Sequence, residues 1–388
     1  MMIFLLEILL LATCLTILNS FVIYPLVVYL LGRNSKTGQS KTDYQPTVAI
    51  MIAAYNEEKV IAQRIKNISE QDYDQSKIQV YVGSDNSSDR TNVILTELKK
   101  EYSWLNLFLF EERMGKAGIL NKLIQQVNSE IIVFTDANTE FQSDAVRKLV
   151  AGFVSENVGG VCGKLVLIDS DVMRADGVEE SKYWKYETFI KTAEGKLGIS
   201  LAANGGIFAI RKNLYQNIPI EKAVTDDLFI SLSIVSQGYK FSYKKSAVAF
   251  ENTGNDLQSE FNRKVRFSAT NFQVLSNFCH LLSPKNGLLA YAFFSHKFTR
   301  WILPFLLTFT FVLSYILSIY SFAVALFFSL QVLFYFLALV GYLFSRLKLQ
   351  ISIFSLPYFF VVSNVAIAVG FVRFLKKKHT VIWNSTER

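Results

Sequence analysis

The sequence predicts an α/β domain with a mostly parallel β-sheet, flanked by transmembrane α-helices. Apolar runs long enough to cross a bilayer lie near both ends of the chain, at residues 1–32 and 301–374. Between them, the domain predicted at residues 46–275 begins with short β-branched runs that alternate with helix-like segments, which is typical of a parallel sheet. The composition agrees, because 51% of the 388 residues are hydrophobic, a high share for a soluble protein.

The apolar ends define the predicted membrane regions. We predict one uncleaved transmembrane helix over residues 1–32, since a signal peptide would be shorter and would have a basic start and a small-residue cleavage site. A linker over 33–45 leads to the α/β domain. Residues 284–300 predict an interfacial helix, and an amphipathic helix packed on the domain explains them equally well. About three transmembrane helices are predicted over 301–374, followed by a basic tail over 375–388.

The net charge of +8 points to a membrane surface rather than to nucleic acid. The lysines and arginines form small clusters beside the apolar segments, at 33–41, 346–348 and 376–378, rather than one continuous basic groove. The positive-inside rule places the first cluster, and with it the α/β domain, in the cytoplasm. Three complete crossings near the C-terminus would put the last cluster outside, so the side of the tail stays open.

Two classes of site and one class of function are disfavoured by the residues present. The three cysteines and three histidines are scattered, without the spacing of zinc ligands or of a disulfide framework. The membrane segments have almost no ionisable residues in their interiors, which argues against a transporter. Catalytic chemistry is therefore predicted to rest on carboxylates, lysines and arginines.

Polar side chains follow three of the predicted strands at the points where the strands end. The strands are predicted over 47–54, 78–83, 105–110 and 130–135, with helices over 57–70, 89–102 and 116–127. The polar side chains are Tyr55, Asn56 and Glu57 after the first strand, Asp85 after the second and Asp136 after the fourth. Ligands of parallel sheets bind at this edge, so the three clusters predict a nucleotide site. Taken singly, each cluster is also explained by a helix cap or a turn.

Two acidic motifs are candidates for metal binding and proton transfer. Asp136 has an oxygen-bearing side chain, Asn138, two residues on, and such a pair can bind Mg²⁺ or Mn²⁺, which would neutralise a diphosphate. Asp226 and Asp227 open an apolar helix predicted over 228–235, and one of them could serve as a general base. Acids in the first turn of a helix also stabilise the helix dipole, which is the alternative explanation.

In order and spacing, these motifs resemble the family 2 inverting glycosyltransferases, which have a Rossmann-like GT-A fold. The resemblance runs over residues 47–273, and the flanking helices are similar to the membrane-bound branch with cellulose, hyaluronan and poly-N-acetylglucosamine synthases. It implies a hexosyltransferase that uses a UDP-sugar and Mg²⁺ or Mn²⁺. The implied partners are a polysaccharide or lipid-linked acceptor, membrane lipid and other subunits of a synthase complex, with no nucleic acid.

The resemblance assigns roles to matching positions. Donor binding is implied for Ala54, Tyr55, Asn56, Glu57, Asp85, Lys116, Asp136, Arg263 and Arg266. Metal binding is implied for Asp136 and Asn138, and the general base for Asp227. Acceptor binding is implied for Asn204, Gly205, Gly206, Asp226 and Phe267. Trp184 is a further acceptor candidate by residue type, because aromatic faces suit sugar rings, but an amphipathic helix seated on the membrane explains its stretch equally well.

The sequence departs from the processive synthases at one motif. Their Gln-x-x-Arg-Trp is replaced by a stretch that keeps Arg266 but has Arg263 in place of Gln and Phe267 in place of Trp. Product length and processivity are therefore open, and a basic helix lying on lipid headgroups is the alternative explanation of this stretch. The alternative function for the whole chain is a non-catalytic partner of a polysaccharide synthase complex that binds nucleotide-sugar.

Overall fold

The computed structural model describes residues 1–33, 44–168, 175–252, 257–347, 349 and 351–377. The strands are β1 Val48–Ala54, β2 Ile78–Asp85, β3 Leu105–Phe110, β4 Ile131–Phe134, β5 Thr139–Phe141, β6 Val158–Ile168, β7 Phe208–Arg211 and β8 Lys240–Asn252. The helices are α1 Met2–Leu18, α2 Tyr24–Arg33, α3 Ile61–Ser69, α4 Thr91–Glu101, α5 Gly115–Leu123, α6 Ala145–Val150, α7 Ala175–Leu197, α8 Asp226–Ser236, α9 Leu257–Phe278, α10 Leu288–Ala292, α11 Thr299–Trp301, α12 Leu303–Leu317, α13 Phe322–Arg346 and α14 Ser352–Leu375.

The contacts divide the described chain into two compact units, which we treat separately. The sheet unit consists of residues 29–33, 44–168 and 188–252, and it contains every strand. The helical unit consists of residues 1–28, 175–187 and 257–377 apart from 348 and 350. Helix α7 contributes its first half to the helical unit and its second half to the sheet unit.

The strands form one mixed sheet in the order β3-β2-β1-β4-β7-β6-β8-β5. Its first four strands are parallel, as predicted. Strand β7 is antiparallel to both of its neighbours, β6 is parallel to β8, and β5 is antiparallel to β8. Strands β1 and β4 contain only apolar residues and are almost entirely buried, as is typical of the central strands of a parallel sheet. Val48, Ile50 and Ile52 of β1 are fully buried among residues of β2 and β4. The predicted α/β fold class is confirmed.

The first half of the domain follows the predicted elements to within a few residues, with one instructive difference. The helix predicted from residue 57 begins at Ile61. Asn56 adopts the left-handed backbone conformation, with φ of 53°, so the chain turns away from a helix there. The amides of Glu57 and Glu58 then donate to Thr91 Oγ1 at 2.8 Å and Asp89 Oδ2 at 3.1 Å. Asp89 and Thr91, the first residue of α4, thus accept from amides that would have no partner within the helix even if the helix began at residue 57.

Three helical stretches of the described chain are long and apolar enough to cross a membrane. They are Met2–Arg33, in which a π-helical turn joins α1 to α2, and the helices α13 and α14. A fourth candidate is the pair Leu288–Trp301 and Leu303–Leu317, which bends by 71° at its break. Within the predicted region 301–374 the structure places α12, α13 and α14. These lengths support membrane association, while the boundaries of the membrane regions remain predictions.

A buried ionic cluster ties three segments of the helical unit together. Glu187 of α7 forms ion pairs with Arg300 and, at 3.1 Å, with His296 Nε2. Burial alone would raise the pKa of Glu187, but the charge of Arg300 lowers it well below its ordinary value. Tyr186 donates from its hydroxyl to Phe21 O at 2.8 Å, which links α7 to the N-terminal stretch. The segment predicted as an interfacial helix at 284–300 is thus packed inside this unit through His296, Ser295 and Phe293.

Candidate active site

The carboxyl ends of β1, β2 and β4 meet at one edge of the sheet, where the sequence predicted a site. Ala54, the last residue of β1, pairs with Ser84 of β2, and Met51 of β1 pairs with Phe134, the last residue of β4. The residues that directly follow these strands are therefore neighbours. They include Tyr55, Asn56, Glu57 and Asp136, with Asp85 as the last residue of β2.

The loops after β1 and β2 are held together by side-chain hydrogen bonds. Asn56 accepts from the backbone amide of Ser88 through Oδ1 at 2.9 Å, and its own amide donates to Ser87 Oγ at 3.2 Å. Asn56 thus joins the loop after β1 to the loop after β2. The polar residues after β1 do not cap a helix, because α3 begins several residues later at Ile61.

Asp85 is a buried acceptor for three donors at residues 113–115, where the loop after β3 enters α5. Its carboxylate accepts from the amides of Met114 at 2.7 Å and Gly115 at 3.0 Å, and from Arg113 Nε at 3.1 Å. The guanidinium carbon of Arg113 lies 3.3 Å from the centroid of the Tyr55 ring. Gly115 starts α5 with φ of 72°, a left-handed value that favours glycine. This turn brings the loop back onto Asp85 and places the next residue, Lys116, in the first turn of α5.

Lys116 connects two carboxylates of the predicted site. Its Nζ lies 2.7 Å from Asp136 Oδ1 and 2.9 Å from Asp226 Oδ2. Burial alone would lower the pKa of Lys116, but the two carboxylates raise it above its ordinary value, so the ammonium remains charged. Three residues that are far apart in the sequence thus form one charged group at the edge of the sheet.

Asp227 lies beside this group in the first turn of α8. Its Oδ1 accepts from the amide of Leu228 at 2.7 Å. A methyl group placed on Gly205 would lie 3.5 Å from Asp227 Oδ2 and 3.8 Å from Asp136 Oδ2, so both carboxylates border the space at this glycine. Burial, followed by the adjacent charge of Asp226, raises the pKa of Asp227 to about 6, against the opposing effect of Lys116. A carboxylate with such a pKa is suited to accept a proton near neutral pH.

The segment Asn204–Gly206 lies beside the carboxylates of Asp136 and Asp227. The buried side chain of Asn204 accepts from Lys191 Nζ at 2.6 Å and donates to Gly163 O at 2.7 Å. The Asn204 amide is therefore engaged inside the protein, and the predicted acceptor role of Asn204, Gly205 and Gly206 remains a prediction. A side chain on Gly206 would come within 2.8 Å of Thr139 Oγ1, so only glycine fits there without a shift.

Asp136 and Asn138 are the residues predicted to hold a divalent cation. Among the described residues, no group of three or more His, Cys, Asp or Glu side chains could hold a metal ion. Mg²⁺ often uses one or two protein oxygens together with phosphate and water oxygens. Lys116 engages Oδ1 of Asp136, while Oδ2 borders the space at Gly205. Asn138, the predicted second ligand, donates from Nδ2 to Glu251 Oε1 at 3.1 Å.

Three cations near the site were not among the predicted residues. Arg113 lies on Tyr55 and Asp85, and Lys191 supports Asn204. Arg64, fully buried in α3, donates from Nη2 to Thr135 Oγ1 at 3.0 Å, directly before Asp136. Arg113 could have been noticed from its position just before Lys116. No sequence signal marks the other two, because they reach the site only through the packing of α3 and α7.

The remaining predicted residues lie in the helical unit. Trp184 is half-buried on α7. Arg263, Arg266 and Phe267 lie on α9, where the Arg266 guanidinium is 5.4 Å from the centroid of the partly exposed Phe267 ring. Burial, and then the charge of Arg263, lowers the pKa of Arg266. The roles of these residues in donor and acceptor binding remain predictions.

Comparisons with known proteins show which family and which proteins the chain resembles. Residues 49–218 match the family model Glycosyl transferase family 2. The chain is 25% identical over 302 residues to the probable glycosyltransferase YdaM of Bacillus subtilis (strain 168), which covers 76% of this chain and 70% of that protein. It is 34% identical over 174 residues to a beta-monoglucosyldiacylglycerol synthase of Trichormus variabilis, which covers 43% of this chain and only 35% of that protein.

A solved structure shows the same fold over nearly the whole chain. The mannosyltransferase PcManGT from Pyrobaculum calidifontis, in complex with GDP-Man and Mn²⁺, superimposes with a TM-score of 0.69 at 19% identity. The match covers 95% of this chain and all of that one. At this level of identity the likeness establishes the fold, which is GT-A.

Proposed function

We propose that the chain, whose residues 49–218 match the family 2 glycosyltransferase model and whose fold is GT-A, is a multi-pass membrane enzyme that transfers a sugar, with inversion, from a nucleotide-sugar to a growing polysaccharide or a lipid-linked acceptor. The observation that carries the proposal is the group of Lys116, Asp136, Asp226 and Asp227 at the carboxyl edge of the sheet. A cation suited to a leaving diphosphate and a carboxylate suited to an acceptor hydroxyl lie together there.

In the proposed reaction, Asp227 accepts the proton of an acceptor hydroxyl while the oxygen attacks the anomeric carbon of the donor sugar. The new C–O bond forms as the bond between that carbon and the diphosphate oxygen breaks on the opposite face, which inverts the anomeric centre. Lys116 presents its ammonium to the negative charge that develops on the departing nucleoside diphosphate. Mg²⁺ or Mn²⁺ held by Asp136, with Asn138 as the predicted second ligand, would further neutralise that diphosphate.

The donor base and the acceptor follow from different observations. Uridine is favoured by the sequence resemblance, while the structural neighbour PcManGT was solved with GDP-Man, so both bases belong in a test. A lipid acceptor is supported by the name of the similar beta-monoglucosyldiacylglycerol synthase and by helices long and apolar enough to cross a membrane. The basic clusters beside these helices favour a cytoplasmic site for the sheet unit.

The proposal is tested by measuring nucleotide release from a panel of UDP-sugars and GDP-sugars. Membranes that contain the full-length chain are supplied with diacylglycerol or with oligosaccharide acceptors, and membranes without the chain give the background. We expect one donor to release its nucleoside diphosphate in step with formation of a glycosylated acceptor. Nucleotide binding without release from any donor would instead support the non-catalytic alternative.

The pH dependence of the reaction is predicted from the environment of Asp227. A general base acts in its ionised form, so kcat/KM should fall about tenfold per pH unit below a pKa of about 6 and level off above it. Asp226→Asn removes the neighbouring negative charge that helps to raise this pKa. The acidic limb of the variant should therefore move to lower pH, whatever its plateau rate. A limb that stays in place would contradict the electrostatic coupling of the two acids.

A further inference from the structure

The side chain of Arg113 contacts an aromatic ring and a buried carboxylate of the sheet unit at the same time. Its guanidinium lies over the face of the Tyr55 ring, 3.3 Å from the centroid, and its Nε donates to Asp85 Oδ2 at 3.1 Å. The side chain of Asp85 is 5% exposed and that of Arg113 is 20% exposed, so the ion pair is largely shielded from water. Arg113 therefore closes the space between an aromatic face and a buried carboxylate.

This pair of surfaces has the chemistry of a nucleobase subsite. A base is flat and carries N–H donors on its edge, so it binds well where an aromatic ring lies beside a fixed acceptor. Asp85 is such an acceptor, because the amides of Met114 and Gly115 hold its carboxylate in place at the carboxyl edge of the sheet. A guanidinium is also flat and also donates N–H bonds, so it fills the same place.

We propose that Arg113 is a removable plug of the nucleobase subsite: it occupies the place of the base on Tyr55 and Asp85 until a donor displaces it. This proposal rests on the proposed function, since it assumes a nucleotide-sugar donor. The displaced side chain has space to enter. A cavity of about 450 Å³ has Arg113 in its wall together with Met114, Gly118, Asn121 and Lys122. Arg113 thus sets the affinity for the base by competing with it.

The plug is tested by nucleoside binding, in which no phosphate takes part. Isothermal titration of the full-length chain in detergent would use uridine, guanosine, UDP and GDP as probes. Arg113→Ala should bind the preferred nucleoside about 5-fold to 30-fold more tightly than wild type, because the cation–π contact with Tyr55 and the charged hydrogen bond to Asp85 no longer need to be broken. Arg113→Lys, which keeps the charge but not the flat group, should fall between the two.

Arg147→Ala is the matched control, since Arg147 is an exposed arginine on α6 whose ion pairs are with Asp72 and Asp144. It should leave nucleoside affinity unchanged, and thermal unfolding would show that each variant is folded. Weaker or unchanged nucleoside binding by Arg113→Ala, with UDP or GDP still bound, would overturn the plug and leave the proposed function standing. Failure of both wild type and Arg113→Ala to bind any nucleoside or nucleotide would overturn the proposed function, and the plug with it.

Discussion

Asp227→Asn should reduce kcat by about 10²–10⁴-fold, the range expected for loss of a general base. The substitution keeps the size and planarity of the side chain but removes its basicity. Asp227 is the half-buried carboxylate that borders Gly205, and its pKa is raised to about 6 by burial and by Asp226. It is therefore basic enough to take a proton from a hydroxyl in the transition state while remaining ionised at neutral pH.

The measurement is turnover of the preferred donor together with direct binding of its nucleotide. Donor binding should change little, because Asp227 acts on the acceptor hydroxyl, so the loss should appear in kcat rather than in nucleotide affinity. Asp72→Asn serves as the matched control, since Asp72 is an exposed acid that pairs with Arg147. If Asp227→Asn kept more than about a tenth of wild-type kcat, another group would have to be the base.

The parallel half of the sheet could be predicted because its strands carry an unambiguous signal. Strand β1 is buried along almost its whole length and reads as a continuous apolar run. Strand β6 carries no such signal, because it contains Gly159 and Gly160 near its start. A side chain on Gly160 would come within 2.3 Å of the Phe241 ring. The demand for glycine in β6 thus arises from a contact with β8, which is distant in sequence and invisible to local patterns.

The site residues show the same division between local and long-range information. The acids at 85, 136 and 227 could be singled out because each follows a strand or opens a helix, where polar residues stand out in the sequence. Two supporting cations could not, because Lys191 and Arg64 reach Asn204 and Thr135 only through folding. Lys116 was predicted to reach the donor phosphate, but its pairing with two acids is a tertiary feature.

Lys116→Met should lower kcat/KM by about 10²–10³-fold, the loss expected when one charged donor to a developing oxyanion is removed. Methionine keeps the length and the apolar stem of lysine but not its ammonium. In the structure that ammonium lies within 3 Å of Asp136 Oδ1 and Asp226 Oδ2, at 2.7 and 2.9 Å. The variant therefore has no ammonium to stabilise the leaving diphosphate. It also leaves the carboxylates of Asp136 and Asp226 without their ion pair to Lys116. Lys116→Arg, which restores the charge, should recover part of the rate.

Lys116→Met should also shift the acidic limb of kcat/KM, in the direction opposite to the shift expected for Asp226→Asn. Lys116 lowers the pKa of Asp227, so its removal should raise that pKa and move the acidic limb of kcat/KM to higher pH than in wild type. A folding defect would reduce the rate at every pH without moving the limb, and thermal unfolding of the variant would reveal it. A loss of less than about tenfold would mean that Lys116 does not meet the diphosphate, and a limb fixed near the wild-type position would mean that Lys116 does not tune the base. Both results together, the lost rate and the upward shift, would show that the ammonium acts from its position between Asp136 and Asp226.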